Sequence, residues 1–246
     1  HIKDGRFGKW LENARDWAVS RNRYWGCPLP IWRNEETGET VCIGSVAELE
    51  EMSGRTFDDI HKHFVDDVVV KAPSGSELHR VPEVLDCWFE SGSMPFAQFH
   101  YPFRNEAWFE DHFPADFIVE YINQTRGWFY TMHVLATALF DRPAFENVIC
   151  HGILLAEDGG KLSKKLRNYT EPALIFEQQG ADALRWYLMS SNIVRGGDLR
   201  ISDAGITDVV RQVLLPIWNA YSFFTLYANV DGYRAEMRTD STRLLD

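Results

Sequence analysis

Two short apolar runs, Phe117-Ile118-Val119 and Val148-Ile149-Cys150, flank a stretch from about Thr125 to Phe140 in which Trp128, Met132, Leu135 and Leu139 recur at helical spacing. A short continuous apolar run reads as a strand covered on both faces, and a helix is what carries a chain from one parallel strand to the next. The segment from Val84 to about Tyr169 therefore predicts part of a doubly wound α/β sheet with buried strands. This limits where chemistry can sit, because ligands of open α/β sheets lie beyond the carboxyl ends of the strands.

The texture of the chain changes on either side of that segment. Residues 1–32 are rich in aromatics and arginine (Trp10, Trp17, Arg21, Arg23, Tyr24, Trp25) and end at Pro28 and Pro30, as a packed segment would on entering an insertion. Residues 33–82 are more polar, with turn signals at Glu36-Thr37-Gly38 and Pro73-Ser74-Gly75-Ser76, a helical pattern over Val46 to Met52 and a strand-like Val68-Val69-Val70. They predict a small α+β insertion. The α/β segment, 83–169, is followed by a connecting helical segment, 170–205, in which Asp182 to Met189 has apolar and polar faces. From Ile206 to about Val230 an amphipathic helix is expected, with Val209, Val210, Val213, Ile217 and Tyr221 on its stripe and a kink at Pro216. The stripe runs into polar residues that offer nothing to cover it, which is how a helical domain spanning 206–246 and continuing in a longer polypeptide would look.

A formal net charge of −11 disfavours broad polyanion binding, so any nucleic-acid contact has to be local. Lys161, Lys164, Lys165 and Arg167 form one such concentration. Cys27, Cys42, Cys87 and Cys150 show no C-x-x-C spacing and read as reduced thiols. His61, His63 and His79 could join Cys42 on a metal, the alternative being surface imidazoles. With no leader and no apolar run long enough for a bilayer, a cytoplasmic setting without membrane contact is expected.

Three motifs carry chemistry. Gly159-Gly160-Lys161-Leu162-Ser163-Lys164-Lys165 follows Cys150-His151-Gly152, and crowded ammonium groups behind glycines suit a phosphate clamp, or else a solvated basic loop. Walker A spacing is absent. Glu120-Tyr121-Ile122-Asn123-Gln124-Thr125-Arg126-Gly127-Trp128 lies between strand and helix, where Glu120, Asn123 and Gln124 could hold ribose hydroxyls or an ammonium. The alternative is that Asn123 or Thr125 caps the helix and Trp128 fills core. In Asp86-Cys87-Trp88-Phe89-Glu90-Ser91-Gly92-Ser93, Trp88 walls an apolar pocket or belongs to the core.

Taken together, these motifs resemble the class I aminoacyl-tRNA synthetases, and among them the isoleucyl branch. Lys161-Leu162-Ser163-Lys164-Lys165 is similar to the family's K-M-S-K-S loop, with Leu for Met and Lys for the last Ser. Arg15-Asp16-Trp17 to Trp25-Gly26, Asp86 to Gly92 and residues 117–140 carry the likeness along nearly the whole chain, and Gln124-Thr125-Arg126-Gly127-Trp128 favours isoleucine over valine or leucine. The resemblance implies half of a Rossmann-type parallel sheet with a small α+β insertion, then a connecting segment and the start of a helical anticodon-binding domain. Glu120 would contact the aminoacyl adenylate, Gln124 the amino acid near its ammonium, and Trp88 and Trp128 the isoleucine side chain. Lys164 would stabilise the ATP phosphates with Lys161 as its partner; Asn123, His151, Gly152 and Ser163 would stand around the nucleotide.

The resemblance further implies isoleucine, ATP with Mg²⁺ as substrate complex, and tRNA as partners of a monomeric parent enzyme. Where many relatives have E-G-x-D-Q, this chain has Tyr121 and Asn123, so an amide replaces a carboxylate beside the ribose. Ala72-Pro73-Ser74-Gly75 stands where some relatives carry a zinc motif, and no zinc is expected. The family's H-I-G-H motif is absent, so the fragment alone is expected to be inactive. The alternatives are a valyl- or leucyl-specific sister and a noncatalytic synthetase-derived RNA-binding module.

Overall fold

Two compact units make up the chain, His1–Ile118 with Asn123–Val148 and Val119–Ile122 with Ile149–Asp246. The computed structural model describes residues 2–235. In the first unit a wide helical segment, Ile2–Phe7, runs into α1 (Gly8–Glu12). Strand β1 (Ser20–Arg21) precedes the insertion, which is built from β2 (Ile31–Arg33), β3 (Thr40–Cys42), α2 (Val46–Ser53), α3 (Lys62–Val65), β4 (Val69–Lys71) and β5 (Glu77–Arg80). β6 (Val84–Leu85) then closes back on β1, Ser20 opposite Leu85.

The four insertion strands form an antiparallel sheet in the order β3-β2-β5-β4. Its core joins Trp32, Ile43, Leu49, Val65, Val68, Val70, Ala72 and Leu78. α2 starts where the periodicity places it because Ser45 caps it, accepting from Glu48 N at 3.1 Å, while the Glu48 carboxylate returns to Gly44 N at 2.7 Å. Gly54, at φ +68°, ends it. On β5, Leu78 and Arg80 turn inward. Arg80 is buried and satisfied by Asp66 and by the carbonyls of Leu29 and Glu83. His61 and His63 stack beside the exposed Trp25, and His61 Nδ1 lies 2.5 Å from Asp59 Oδ1. The His61 backbone and ring hydrogen bonds hold the Asp59 carboxyl below its usual range.

Beyond the insertion come α4 (Cys87–Ala97), α5 (Glu106–His112), β7 (Ala115–Tyr121), a 3₁₀ turn over Ile122–Arg126, α6 (Trp128–Phe140) and β8 (Phe145–His151). β7 pairs with β8. Ala115 N donates to Ala144 O at 3.0 Å and Asn147 Nδ2 to Asp116 O at 2.9 Å, so the strands start side by side and run the same way. This is the expected strand-helix-strand unit, with two corrections. Phe117 and Val119, two apart and so on one face of β7, are 60% and 48% exposed, not buried, because no layer among the described residues covers that face. The helix begins three residues later than read, and its buried stripe is Phe129, Met132, Leu135 and Ala136, while Leu139 is exposed. α4 lies tight against α6 because Gly92 is bare: a Cβ there would come within 3.1 Å of the Thr131 backbone and of Leu135.

In the second unit β9 (Leu154–Leu155) pairs in parallel with β10 (Leu199–Arg200). α7 (Pro172–Gln178), α8 (Ala181–Met189) and α9 (Asp203–Val209) bury Ile175, Ala183 and Ile206, with Leu184, Tyr187, Ile201, Val210 and Leu214 packed around them. A wide turn over Val210–Leu214 leads into α10 (Leu215–Val230). Pro216 therefore sits in a first helical turn, and the irregularity lies just before it, since proline has no N–H to bond the carbonyl one turn back. α10 buries no residue, and Ile217, Trp218, Tyr221, Phe223 and Phe224 are all more than half exposed. It is apolar around its circumference, not along the single stripe expected. The polar ending read over residues 236–246 lies outside the described residues. No described helix is long and apolar enough to cross a membrane.

Candidate active site

The first unit holds the residues read as an amino-acid pocket. Asp86, 3% exposed, organises them. It caps α4 by accepting from Trp88 N at 3.4 Å, and its other oxygen accepts from Trp17 Nε1 at 2.9 Å and from Arg21 Nη2 at 2.8 Å. The stretch around Trp17 is thereby tied to the first turn of α4, which carries Trp88. Trp88 is 42% exposed, too open for a core residue. Its ring lies over Gly127, where a Cβ would stand 3.2 Å from it and 2.6 Å from Gln124 Oε1. Gly127 thus lets indole and amide close on the same turn of backbone.

Gln124, not Asn123 or Thr125 as the capping alternative had it, supplies the bond at the helix start. Its Oε1 accepts from Trp128 N at 2.9 Å. A carbonyl oxygen has two lone pairs, so this bond leaves one for an ammonium. Trp128 is half-buried and donates Nε1–H to Ser91 O at 3.2 Å, joining α6 to α4. Asn123 is exposed, and its Oδ1 accepts from Arg6 Nη2 at 3.2 Å, while Arg6 Nε reaches Thr125 Oγ1 at 3.0 Å. Asn123 thus keeps its amide N–H groups for a hydroxyl. Trp88, Gln124 and Trp128 are brought together as read. Asp86 and Arg6 were not singled out; an aspartate directly before a helix was a legible cap signal, whereas Arg6 lies 117 residues from Asn123 and no local pattern marks it.

The second unit holds the residues read as nucleotide contacts other than Asn123, which lies in the first. Glu120, half-buried at the end of β7, accepts from Tyr121 N at 3.2 Å, and the Tyr121 and His151 rings stand 6.4 Å apart. His151 ends β8, its Nδ1 2.8 Å from Gly152 O. Gly152 donates N–H to Ile193 O at 2.8 Å, and any Cβ there would overlap the Gly197 carbonyl, so the strand end admits glycine alone.

The basic loop is also built here. Leu155 and Lys161 form an antiparallel bridge across a tight turn in which Gly159 takes φ +85° and Ala156 N donates to Gly160 O at 2.8 Å. Beyond it Asn168 spans the loop: its Nδ2 donates to Lys161 O at 3.0 Å and its Oδ1 accepts from Ser163 N at 2.9 Å. Ser163 Oγ accepts from Leu166 N at 3.3 Å. Lys161, Lys164, Lys165 and Arg167 are exposed and enter no ion pair among the described residues. A backbone held by an amide that presents uncompensated ammonium groups is suited to polyphosphate. Asn168 was missed because a side-chain clamp five residues from its target has no spacing signature.

Residues 1–202 match the family model described as tRNA synthetases class I (I, L, M and V). The chain belongs to this family. It is 60% identical to the isoleucine–tRNA ligase of Treponema denticola across 95% of this chain and 21% of that one. To the isoleucine–tRNA ligase of Leifsonia xyli subsp. xyli it is 54% identical, over 100% of this chain and 23% of that one. The chain thus spans about a fifth of the length of the curated relatives it matches. Among solved structures, the LeuRS of Agrobacterium radiobacter K84 (agnB2), in a ternary complex with tRNA and LeuAMS, superposes with a TM-score of 0.60 at 21% identity, over 82% of this chain and 28% of that one. At that identity the likeness speaks for the fold, the α/β core of a class I synthetase.

Proposed function

We propose that the chain is the downstream half of the catalytic core of a ligase that activates isoleucine with ATP and transfers it to tRNA. The observation that carries this is identity of 54–60% to isoleucine–tRNA ligases along nearly the whole chain. In the first step the isoleucine carboxylate attacks the α-phosphorus of ATP, brought in with Mg²⁺, and pyrophosphate leaves. In the second, a hydroxyl of the terminal tRNA ribose attacks the adenylate carbonyl and AMP leaves.

Trp88 and Trp128 supply apolar surface for the side chain, and the spare lone pair of Gln124 Oε1 meets the ammonium. Glu120, Asn123, His151 and Gly152 border the adenylate. Lys161 and Lys164 neutralise charge that builds on the leaving pyrophosphate, with Ser163 shaping the loop between them. Residues 1–32 and 83–169 are the core, 33–82 its insertion, 170–205 a connector and 206–246 the start of a helical anticodon-binding domain, in a monomeric cytoplasmic enzyme that holds no zinc in this region. The test is amino-acid-dependent exchange of pyrophosphate into ATP by the full-length protein. Isoleucine is expected to give a higher kcat/KM than valine or leucine, and a preference for either of those rejects the assignment.

A further inference from the structure

On a chain of net charge −11, a polyanion can approach closely only where cations gather without carboxylates among them. The lysine loop is one such place, and the first unit contains another. Gly5, Arg6, Lys9, Trp10 and Arg126 line a cavity of about 410 Å³ that no carboxylate borders. Arg6, Lys9 and Arg126 are exposed and enter no ion pair among the described residues.

Neutral groups hold the two arginines in place. The Arg126 guanidinium carbon lies 4.8 Å from the centroid of the Trp10 ring, which in turn meets Tyr130 nearly edge-on at 6.2 Å. Arg6 is fixed through Nε on Thr125 and Nη2 on Asn123. A guanidinium carries five N–H groups, so three on Arg6 are left to face an anion. Two positioned guanidinium forks and an exposed ammonium are the equipment for phosphate, whose oxygens accept paired bonds from arginine and meet a point charge from lysine.

We propose that Arg6, Lys9 and Arg126 form a second phosphate site, which grips the backbone of the tRNA. The inference rests on the ligase reading and names where the polynucleotide is held. ATP offers the same chemistry, but a phosphodiester strand brings single charges spaced along a chain, which suits separate, exposed cations. Because Arg6 hangs from Asn123 and Thr125, the site shares the 122–126 turn with Gln124 of the amino-acid pocket.

The experiment measures tRNA affinity of the full-length protein against KCl concentration, beside isoleucine-dependent pyrophosphate exchange, for Lys9→Gln and for Lys9→Gln combined with Arg126→Gln. Each lost phosphate contact is expected to make the log-log salt slope shallower by about 1, and the double variant to raise the tRNA Kd by roughly tenfold or more. Exchange stays within about twofold, since no group of the adenylation site is altered. Lys9 enters no ion pair among the described residues, so the single variant is expected to keep the fold and tests the slope by itself. Unchanged affinity and slope in both variants overturn the proposal. So does a raised KM for ATP with tRNA affinity intact, which would give the site to the nucleotide. If the unmodified protein binds tRNA but lacks isoleucine-dependent exchange, the ligase reading fails while a loss of tRNA affinity in the variants still supports the site.

Discussion

In the proposed ligase, Lys164 and Asn168 divide the work of the basic loop between charge and position. Lys164 offers an exposed ammonium, and Asn168 ties the backbone at Lys161 and Ser163 so that the ammonium is presented from a defined place. A group that acts mainly on charge developing in the transition state lowers kcat and kcat/KM together when it is removed. Lys164→Ala in the full-length protein is therefore expected to slow adenylate formation about a hundredfold or more, the loss typical of one preorganised electrostatic donor. Asn168→Ala leaves every charge in place and is expected to cost on the order of tenfold, through misplacement alone. Lys165, which stands where the family's loop has its last Ser, should matter less. Single-turnover adenylate formation distinguishes these cases; an Asn168→Ala enzyme at full rate would show that the clamp does not orient the loop.

At the scale of elements, α4 and α6 carry Trp88 and Trp128, two of the residues proposed for the pocket, and what fixes them is a buried carboxylate at one end and a missing Cβ in the middle. Asp86 caps α4 and satisfies Trp17 and Arg21 at once. Its replacement by alanine removes a cap worth about 1 kcal/mol. It also leaves the half-buried Trp17 Nε1–H without its acceptor, at about 1–3 kcal/mol more, while Arg21, partly exposed, keeps the carbonyls of Ala18 and Ser20. Asp86→Ala is thus expected to lower unfolding free energy by about 2–4 kcal/mol in urea titrations. Asp86→Asn, which keeps an acceptor oxygen, should lose clearly less. Equal losses would mean that charge, not capping and hydrogen bonding, anchors the segment.

At the scale of the whole molecule, acid stability offers a separate check on the packing of α6. His133 is half-buried between Phe7 and Phe145, its Nδ1 has no partner among the described residues, and burial pushes its pKa down. The unfolded chain therefore takes up a proton on this ring more readily than the folded one. Its contribution is intact above the ordinary histidine value of about 6.5 and is lost as pH falls through that value toward the folded one. His133→Phe is expected to flatten the decline in urea midpoint between about pH 7.5 and 5.5 relative to the unaltered chain. An identical decline in the two would place the ring in water.

The strand-helix-strand unit, the insertion's helix and its strand at Val68-Val69-Val70, and the lysine loop were legible because each rests on residues close in sequence, where period, caps and turns act locally. Trp88, Gln124 and Trp128 could be named as a set through resemblance, though nothing local showed that Gly127 lets the Trp88 ring and the Gln124 amide meet. The exposure of Phe117 and Val119 was misread, since an apolar run announces affinity for cover and not which layers are present. The apolar circumference of α10 belongs to the same case. What tertiary structure alone decided is the company each polar group keeps: Arg6 on Asn123, Arg126 on Trp10, and Trp17 with Arg21 on Asp86. Hydrogen bonds and ring contacts reach only a few ångström, so partners more than sixty residues apart meet when the packing of α1, α4 and α6 brings their backbones together, and no periodicity records that meeting.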